Sequence, residues 1–281
     1  MSALSTQLTT ALQTRYSLTP APAYLTTFLS STRQPLPPLP ALTSTLHFRI
    51  LASDITTSLL ASPSTTLPPG TSSTSTKEFR LTHAVPCQVL DIRDLGSSKW
   101  SQVEAIERVE RGEEVRGREV IRTVPGLNDD GEHDGSTTGT ATNGHAPTIG
   151  TRGLPTPAAT AASSTAPANS AATPKRSQGP HQLLLADAAG TQIRAFEHTH
   201  PFPRLFITND PTNNNEGISI GAKILLQPNT LVRRGMVMLD PQTVKILGGK
   251  IESWDRAWRR GRKEGLIRGV TGTNPPVRAG S

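Results

Sequence analysis

The strongest constraint on this chain is a stretch that cannot contribute to any core. Of the 58 residues from 123 to 180, 41 are Gly, Pro, Ala, Ser or Thr and none is aromatic. Such a segment buries too little apolar surface to offset the entropy of ordering it, so disorder is expected from about residue 125. Whatever folds must therefore fold on either side of it. Only 34% of the whole chain is hydrophobic, against roughly 45–50% in an average globular chain. The deficit sits in this stretch and in proline joints.

Before it, residues 4 to 60 carry three apolar stripes at helical spacing. Leu4, Leu8, Ala11 and Leu12 form the first, and Tyr24, Leu25, Phe28 and Leu29 follow Thr19-Pro20 as the second. QPLPPLP then breaks the chain, and Leu46, Ile50, Leu51, Ile55 and Leu59 read as one long third helix ending at Ser62-Pro63. Helices of this length are marginal alone, so residues 1–62 are expected to form a three-helix bundle, with a linker over 63–78. KEFRLTHAVPCQVLDIRDL then alternates as a half-buried strand with a bulge. Trp100, Val103 and Ile106 return to helical spacing.

Beyond Gly179 the pattern is short strands at His181–Asp187, Thr191–His198, Ala222–Gln227, Gly235–Leu239 and Val244–Leu247. With the strand near 85–95 this predicts a compact barrel of about five strands, interrupted by a long insertion. A helix follows Gly248-Gly249. The class is α+β.

The net charge of +7 is localised: KIESWDRAWRRGRKEGLIR, residues 250 to 268, carries +4 of it. Arg259, Arg260, Arg262 and Lys263 could meet phosphates, although Ile251, Trp254 and Trp258 at helical spacing also fit a helix with a solvated basic face. A lone Cys87 excludes an internal disulfide framework and thiolate-rich metal sites. No apolar run approaches the ~18 residues of a membrane span. The first residues lack a secretory pattern, so a nuclear or cytosolic location is expected.

Motifs for catalysis fail on context. Gly217-Ile218-Ser219-Ile220-Gly221 matches a nucleophile elbow as a string, but a polar loop precedes it and a strand follows, the reverse of the requirement. His198 and His200 lack a third metal ligand, and Asp91 with Asp94 reads as charge at a strand end. Gly248-Gly249-Lys250 lacks the upstream glycine and the Ser or Thr of a phosphate loop. Residues 181–249 contain only Phe196, Phe202 and Phe206 as aromatics, which equips the barrel poorly for stacking bases. No catalytic residue, metal or cofactor is expected.

HQLLLADAAGTQIRAFE and IGAKILLQPNTLVRRGMVMLDPQTVKILGGKIESW resemble the N-terminal domain of the RecQ-mediated genome instability protein 1 family. The matching features are a Leu-rich hairpin, G-x-K-I-L at 221–225, R-x-G-x-x-x-L at 233–239 and, most specific, V-K-I-L-G-G-K-I at 244–251. LHFRILASDITTSLL and CQVLDIRDL resemble the family's third helix and first barrel strand more loosely. The hairpin departs from the family's Asp-Gly in having Ala188-Ala189-Gly190. The resemblance implies a helical bundle and an OB-fold barrel over 79–268, with the insertion at 97–180 between its first two strands, and leaves 269–281 as a flexible tail.

Functionally it implies a nuclear, non-catalytic subunit of a RecQ helicase and topoisomerase III complex, acting in dissolution of double Holliday junctions. The barrel would dock on topoisomerase III, with Lys223 as a contact, and the insertion would modulate the topoisomerase gate. Trp100, Val103 and Ile106 are the expected residues for folding onto the partner. The chain ends at Ser281, so no second OB module and no partner subunit of such a module are expected through it, nor any membrane association. The alternative is a module binding single-stranded or junction DNA directly through Arg259, Arg260, Arg262 and Lys263.

Overall fold

A computed structural model of the chain describes residues 2–32, 35–112, 176–177, 179–208 and 217–271. The expected disorder from 125 to 175 and the tail from 272 to 281 lie outside the described residues, whereas Arg176 and Ser177, expected to be disordered, are held by bonds to Thr208 and His181, and the expected tail at 269–271 is the last turn of the C-terminal helix.

The N-terminal stripes form α1 (Ser2–Tyr16), α2 (Pro22–Ser31) and α3 (Leu39–Leu51). Pro stands in the first turn of α2 and of α3, where its missing N–H costs nothing. Leu8, Leu12, Leu25, Phe28, Leu46 and Ile50 share one core. The third stripe does not run through as one helix. It stops at Leu51, and a separate turn, α4 (Ile55–Ser58), restarts where Asp54 accepts a hydrogen bond from Thr56 N–H at 3.1 Å as the N-cap. Asp54 therefore splits the expected third helix, because capping satisfies a new helix start.

The strands are β1 (Glu78–Arg80), β2 (Val85–Asp94), β3 (His181–Asp187), β4 (Gln192–Glu197), β5 (Lys223–Leu226), β6 (Leu231–Arg233), β7 (Met236–Leu239) and β8 (Val244–Gly248). They form one sheet ordered β1-β6-β7-β4-β3-β2-β5-β8. Among the described residues the count is eight rather than about five. β1 and β6 are three-residue strands rich in charge, too short to leave an alternating pattern, and the expected long first strand is two pieces, β1 and β2. The pairing of β4 with β7 is parallel, and the others are antiparallel. The register shifts between Val89 and Asp91, the bulge expected there, which sharpens the strand's bend. The sheet curls round a second core that includes Val85, Val89, Leu185, Ile193, Leu226 and Val237.

Asp187 closes the β3–β4 hairpin, accepting hydrogen bonds from Ala189 N–H (2.9 Å), Thr191 N–H (2.8 Å) and, from the preceding loop, Leu67 N–H (2.8 Å). The carboxylate works together with Gly190, which takes φ +81° in the same turn. Burial, with Asp187 nearby, pushes the Cys87 thiol up, so Cys87 is an inert core residue.

Two helices cover the barrel. α5 (Lys99–Glu110), capped by Ser98 Oγ, packs against α6 (Glu252–Thr271). No helix among the described residues is long and apolar enough to cross a membrane.

One buried side-chain nitrogen among the described residues, His47 Nε2, has no hydrogen-bond partner. The ring stacks on Tyr16 at 3.7 Å. Burial, assisted by Arg15, holds its pKa below the usual histidine value. The unfolded chain therefore takes up the proton first, and stability present above about pH 6.5 is lost as the pH falls below it. The urea midpoint should drop between pH 7 and 5, and His47→Phe, which keeps a ring for stacking, should flatten that drop.

Candidate functional site

The helical domain meets the barrel around Lys223. This residue opens β5, and its side chain is 0% exposed. Its Nζ donates to Gly221 O at 2.6 Å and to Leu51 O, at the C-terminus of α3, at 3.4 Å. Lys223 is thus not an exposed strand-edge charge, and in this structure it offers no surface to a partner. A cation suits the negative end of a helix, yet burial pulls its pKa down to about 7, only partly opposed by Asp54.

Gln88, also buried, completes the joint. Its Oε1 accepts from Ile55 N–H at 2.9 Å and its Nε2 donates to Asp54 Oδ1 at 3.4 Å. Gly249, at φ +87°, passes so close to Leu51 O that no Cβ fits. The V-K-I-L-G-G-K-I stretch is therefore where the barrel admits the helices.

A second buried network closes the return from the insertion. Ser177 Oγ lies 2.6 Å from His181 Nε2, and His181 Nδ1 lies 2.6 Å from Glu197 Oε2. The other carboxylate oxygen accepts from Phe202 N–H at 2.8 Å and stands 2.8 Å from His200 Nδ1. Serine, histidine and carboxylate follow one another as in a nucleophilic triad. Ser177 Oγ, however, already accepts from Ile207 N–H at 2.7 Å, and His181 N–H also binds Glu197 at 2.8 Å. Every strong group is committed, so the network is a latch. It stitches Ser177 to the loop after β4, helped by Ser177 N–H donating to Ile207 O at 2.8 Å and by Arg176 over the Phe206 ring. Burial alone would raise the pKa of Glu197, but these hydrogen bonds outweigh it and hold the carboxyl below its usual range. His200 is exposed, as a surface histidine is expected to be, but its contact with Glu197 was not legible, and sequence reading missed His181, Glu197 and Ser177, which are scattered along the chain with no common spacing.

The insertion's first part folds onto its own chain. Val103 is 2% exposed and inward, Ile106 is half-buried, and Trp100 is 57% exposed. Of the three expected partner contacts, Val103 is thus withdrawn into the packing of α5, while Trp100 stays available. The basic cluster is likewise largely occupied. Arg259 pairs with Asp255 at 2.8 Å and donates to Thr208 O at 3.1 Å. Lys263 bridges to Glu110 at 2.7 Å and Glu107 at 3.3 Å. Arg262 lies over Trp258 and reaches Gln102 Oε1 at 3.4 Å, with burial drawing its pKa down to about 10. Arg260 alone of the four is exposed. These residues do not form a free basic stripe, because Asp255 of α6 pairs with Arg259, Glu107 and Glu110 of α5 pair with Lys263, and Arg262 packs over Trp258.

Asp91 and Asp94 are structural acceptors. Asp91 takes Trp258 Nε1–H at 2.8 Å, and Asp94 takes Gly96 N–H and the Ser97 hydroxyl at 2.9 Å each. Ser219 is followed by β5, not by a helix, which leaves the nucleophile elbow without its geometry. Among the described residues no group of three or more His, Cys, Asp or Glu side chains is arranged to hold a metal ion.

Comparison with protein-family models matches residues 67–262 to "RMI1, N-terminal OB-fold domain" and residues 12–58 to "RMI1, N-terminal helical domain". The chain is 27% identical over 177 residues to "RecQ-mediated genome instability protein 1" of Schizosaccharomyces pombe, an alignment covering 63% of this chain and 60% of that relative.

Two titrations follow from the buried groups. Lys223 is half-neutral near pH 7 when folded but keeps its proton to about pH 10.4 when unfolded. Folding should therefore strengthen as the pH rises from 7 towards 10, and Lys223→Met should lose that rise in urea midpoints. For Glu197 the lowered pKa means stability present at neutral pH and lost below about pH 4.5. Glu197→Gln should cost about 1–3 kcal/mol at pH 7 in urea denaturation and blunt the acid limb.

Proposed function

The chain belongs to the RMI1 family, and from that premise we propose that it is a non-catalytic scaffold of a complex between a RecQ helicase and topoisomerase III. Its role would be to promote dissolution of double Holliday junctions in the nucleus. The observation carrying this reading is the weld between the helical domain and the barrel. Buried Lys223, Gln88 and the close passage at Gly249 join two domains, matched in family order, into one rigid docking body.

The barrel and helices would present the surface that binds topoisomerase III, with exposed Trp100 of α5 among its contacts. The described residues stop at Gly112 and resume at Arg176. The first of these ends is held by α5 on α6 and the second by the Ser177–His181–Glu197 latch. The segment between would act on the topoisomerase gate from two anchored ends. Lys223 would influence binding as a positioning residue, by setting how the helices sit on the barrel. Direct DNA binding through α6 has less support, since Arg259, Arg262 and Lys263 are engaged by their own chain.

Co-purification with topoisomerase III tests this. Wild type should associate, and so should Lys223→Met, which removes charge but keeps volume. Lys223→Glu should lose association together with a lowered melting temperature, because a carboxylate would face the carbonyls of Leu51 and Gly221. Loss of association by a stably folded Lys223→Met would overturn the positioning role. Replacing residues 113–175 with a short Gly-Ser linker, sparing α5 and the latch, should preserve association but abolish stimulation of dissolution. Lost association there would move the main interface into the replaced segment.

A further inference from the structure

The two glycine motifs that fail separately as a nucleophile elbow and as a phosphate loop come together in space. They line a cavity of about 280 Å³ with Arg204, Ser219, Lys250 and the backbones of Gly217, Gly248 and Gly249 among its walls. We propose that this cavity binds a single oxyanion carried by a peptide, the carboxylate or phosphoryl group of a side chain on a partner segment. The proposal does not depend on the topoisomerase reading.

Size sets the class of ligand first. The cavity falls at the bottom of the roughly 300–1,000 Å³ range of small-molecule pockets, so it suits one group better than a whole cofactor. Charge sets its sign. Among the described residues, two cations and no acidic side chain line the cavity. Among the described residues Arg204 has no carboxylate partner, although it holds φ at +64°, a conformation uncommon for a side-chain-bearing residue. Lys250 pairs at 2.8 Å with Glu252, which is 60% exposed and also bound to Arg256 at 3.3 Å. An incoming oxyanion would compete with Glu252 for Lys250, and Glu252 can turn to Arg256 and water.

The backbone supplies the rest. Gly217, Gly248 and Gly249 all have φ between +82° and +87°, and a Cβ at Gly248 would meet nothing within 4 Å. The N–H groups of Gly249 and Lys250 make no hydrogen bond to other described residues. Successive unpaired N–H groups at a turn with positive φ make a concavity suited to anions. Ser219 adds a hydroxyl to the same wall. Among the described residues no aromatic lines the cavity, so they offer a nucleic acid no platform for its bases, and a peptide is the better-matched source.

The test uses the full chain and amide NMR spectra at constant ionic strength. Inorganic phosphate, a capped phosphoserine tripeptide and a capped glutamate tripeptide are titrated separately, with sodium chloride as control and a thymidine oligonucleotide as competitor class. Phosphate and at least one peptide should shift the amides of Ser219, Gly248 and Gly249 saturably, the better peptide identifying the group preferred. Arg204→Gln and Lys250→Gln, at partly or fully exposed positions and expected to melt as wild type does, should each weaken that binding about tenfold. Equal shifts with chloride, unchanged binding in both variants, or tighter saturation of these amides by the oligonucleotide would each overturn the proposal.

Discussion

A lysine at the centre of two packed domains is the constraint on which the rest of this structure depends. Burying an ammonium is expensive unless it is paired and hydrogen-bonded. Lys223 meets that demand only in part, with carbonyls from its own turn at Gly221 and from the end of α3 at Leu51 and with Asp54 at longer range, and its lowered pKa records the remainder. The arrangement works only if α3 stops at Leu51 and presents its C-terminus to β5. That stop places Asp54 to cap α4, and α4 in turn gives its first N–H to Gln88 on β2. One buried charge thereby specifies where a helix ends, where the next begins and which strand they face.

The same logic of satisfied buried polar groups fixes the far side of the barrel. Glu197 is 1% exposed yet serves two histidines and two backbone N–H groups. Asp255 accepts from Ile220 N–H at 3.0 Å and pairs with Arg259, tying α6 to the turn before β5. Gln102 Nε2 donates to Asp94 O and Ser97 O, holding α5 against the end of β2. The apolar cores supply the driving force, while these polar groups select one docking of the elements among several that apolar contact alone would permit.

What was legible in the sequence follows from this division. Periodicity is the imprint of apolar burial, so the stripes of α1 and α2 and the strands β3, β4, β5, β7 and β8 could be read from spacing, and the V-K-I-L-G-G-K-I signature pointed to the family. Polar satisfaction leaves no periodic imprint. Asp54 interrupts an otherwise unbroken helical stripe, and nothing in Leu46 to Leu59 reveals that its carboxylate prefers an N-cap. Lys223 stands among apolar residues in G-A-K-I-L, where strand alternation makes a lysine read as exposed. Its burial depends on Leu51, some 170 residues earlier, approaching from another domain. His181, Glu197 and Ser177 are related only through a strand pairing and a loop return.

Charge was the most misleading sequence feature, for a related reason. A pI near 10.1 and the run RAWRRGRK suggest a nucleic-acid surface, but net charge counts residues without asking what they face. α5 carries Glu107 and Glu110 on the side turned to Lys263, and Trp258 and Gln102 receive Arg262. The basic helix and the start of the insertion therefore act as each other's counterparts. Their pairing covers one flank of the barrel and fixes the point from which the long insertion departs. Of the four basic residues, Arg259, Arg262 and Lys263 are engaged by their own chain, and the last two hold α5, at the start of the insertion, in place.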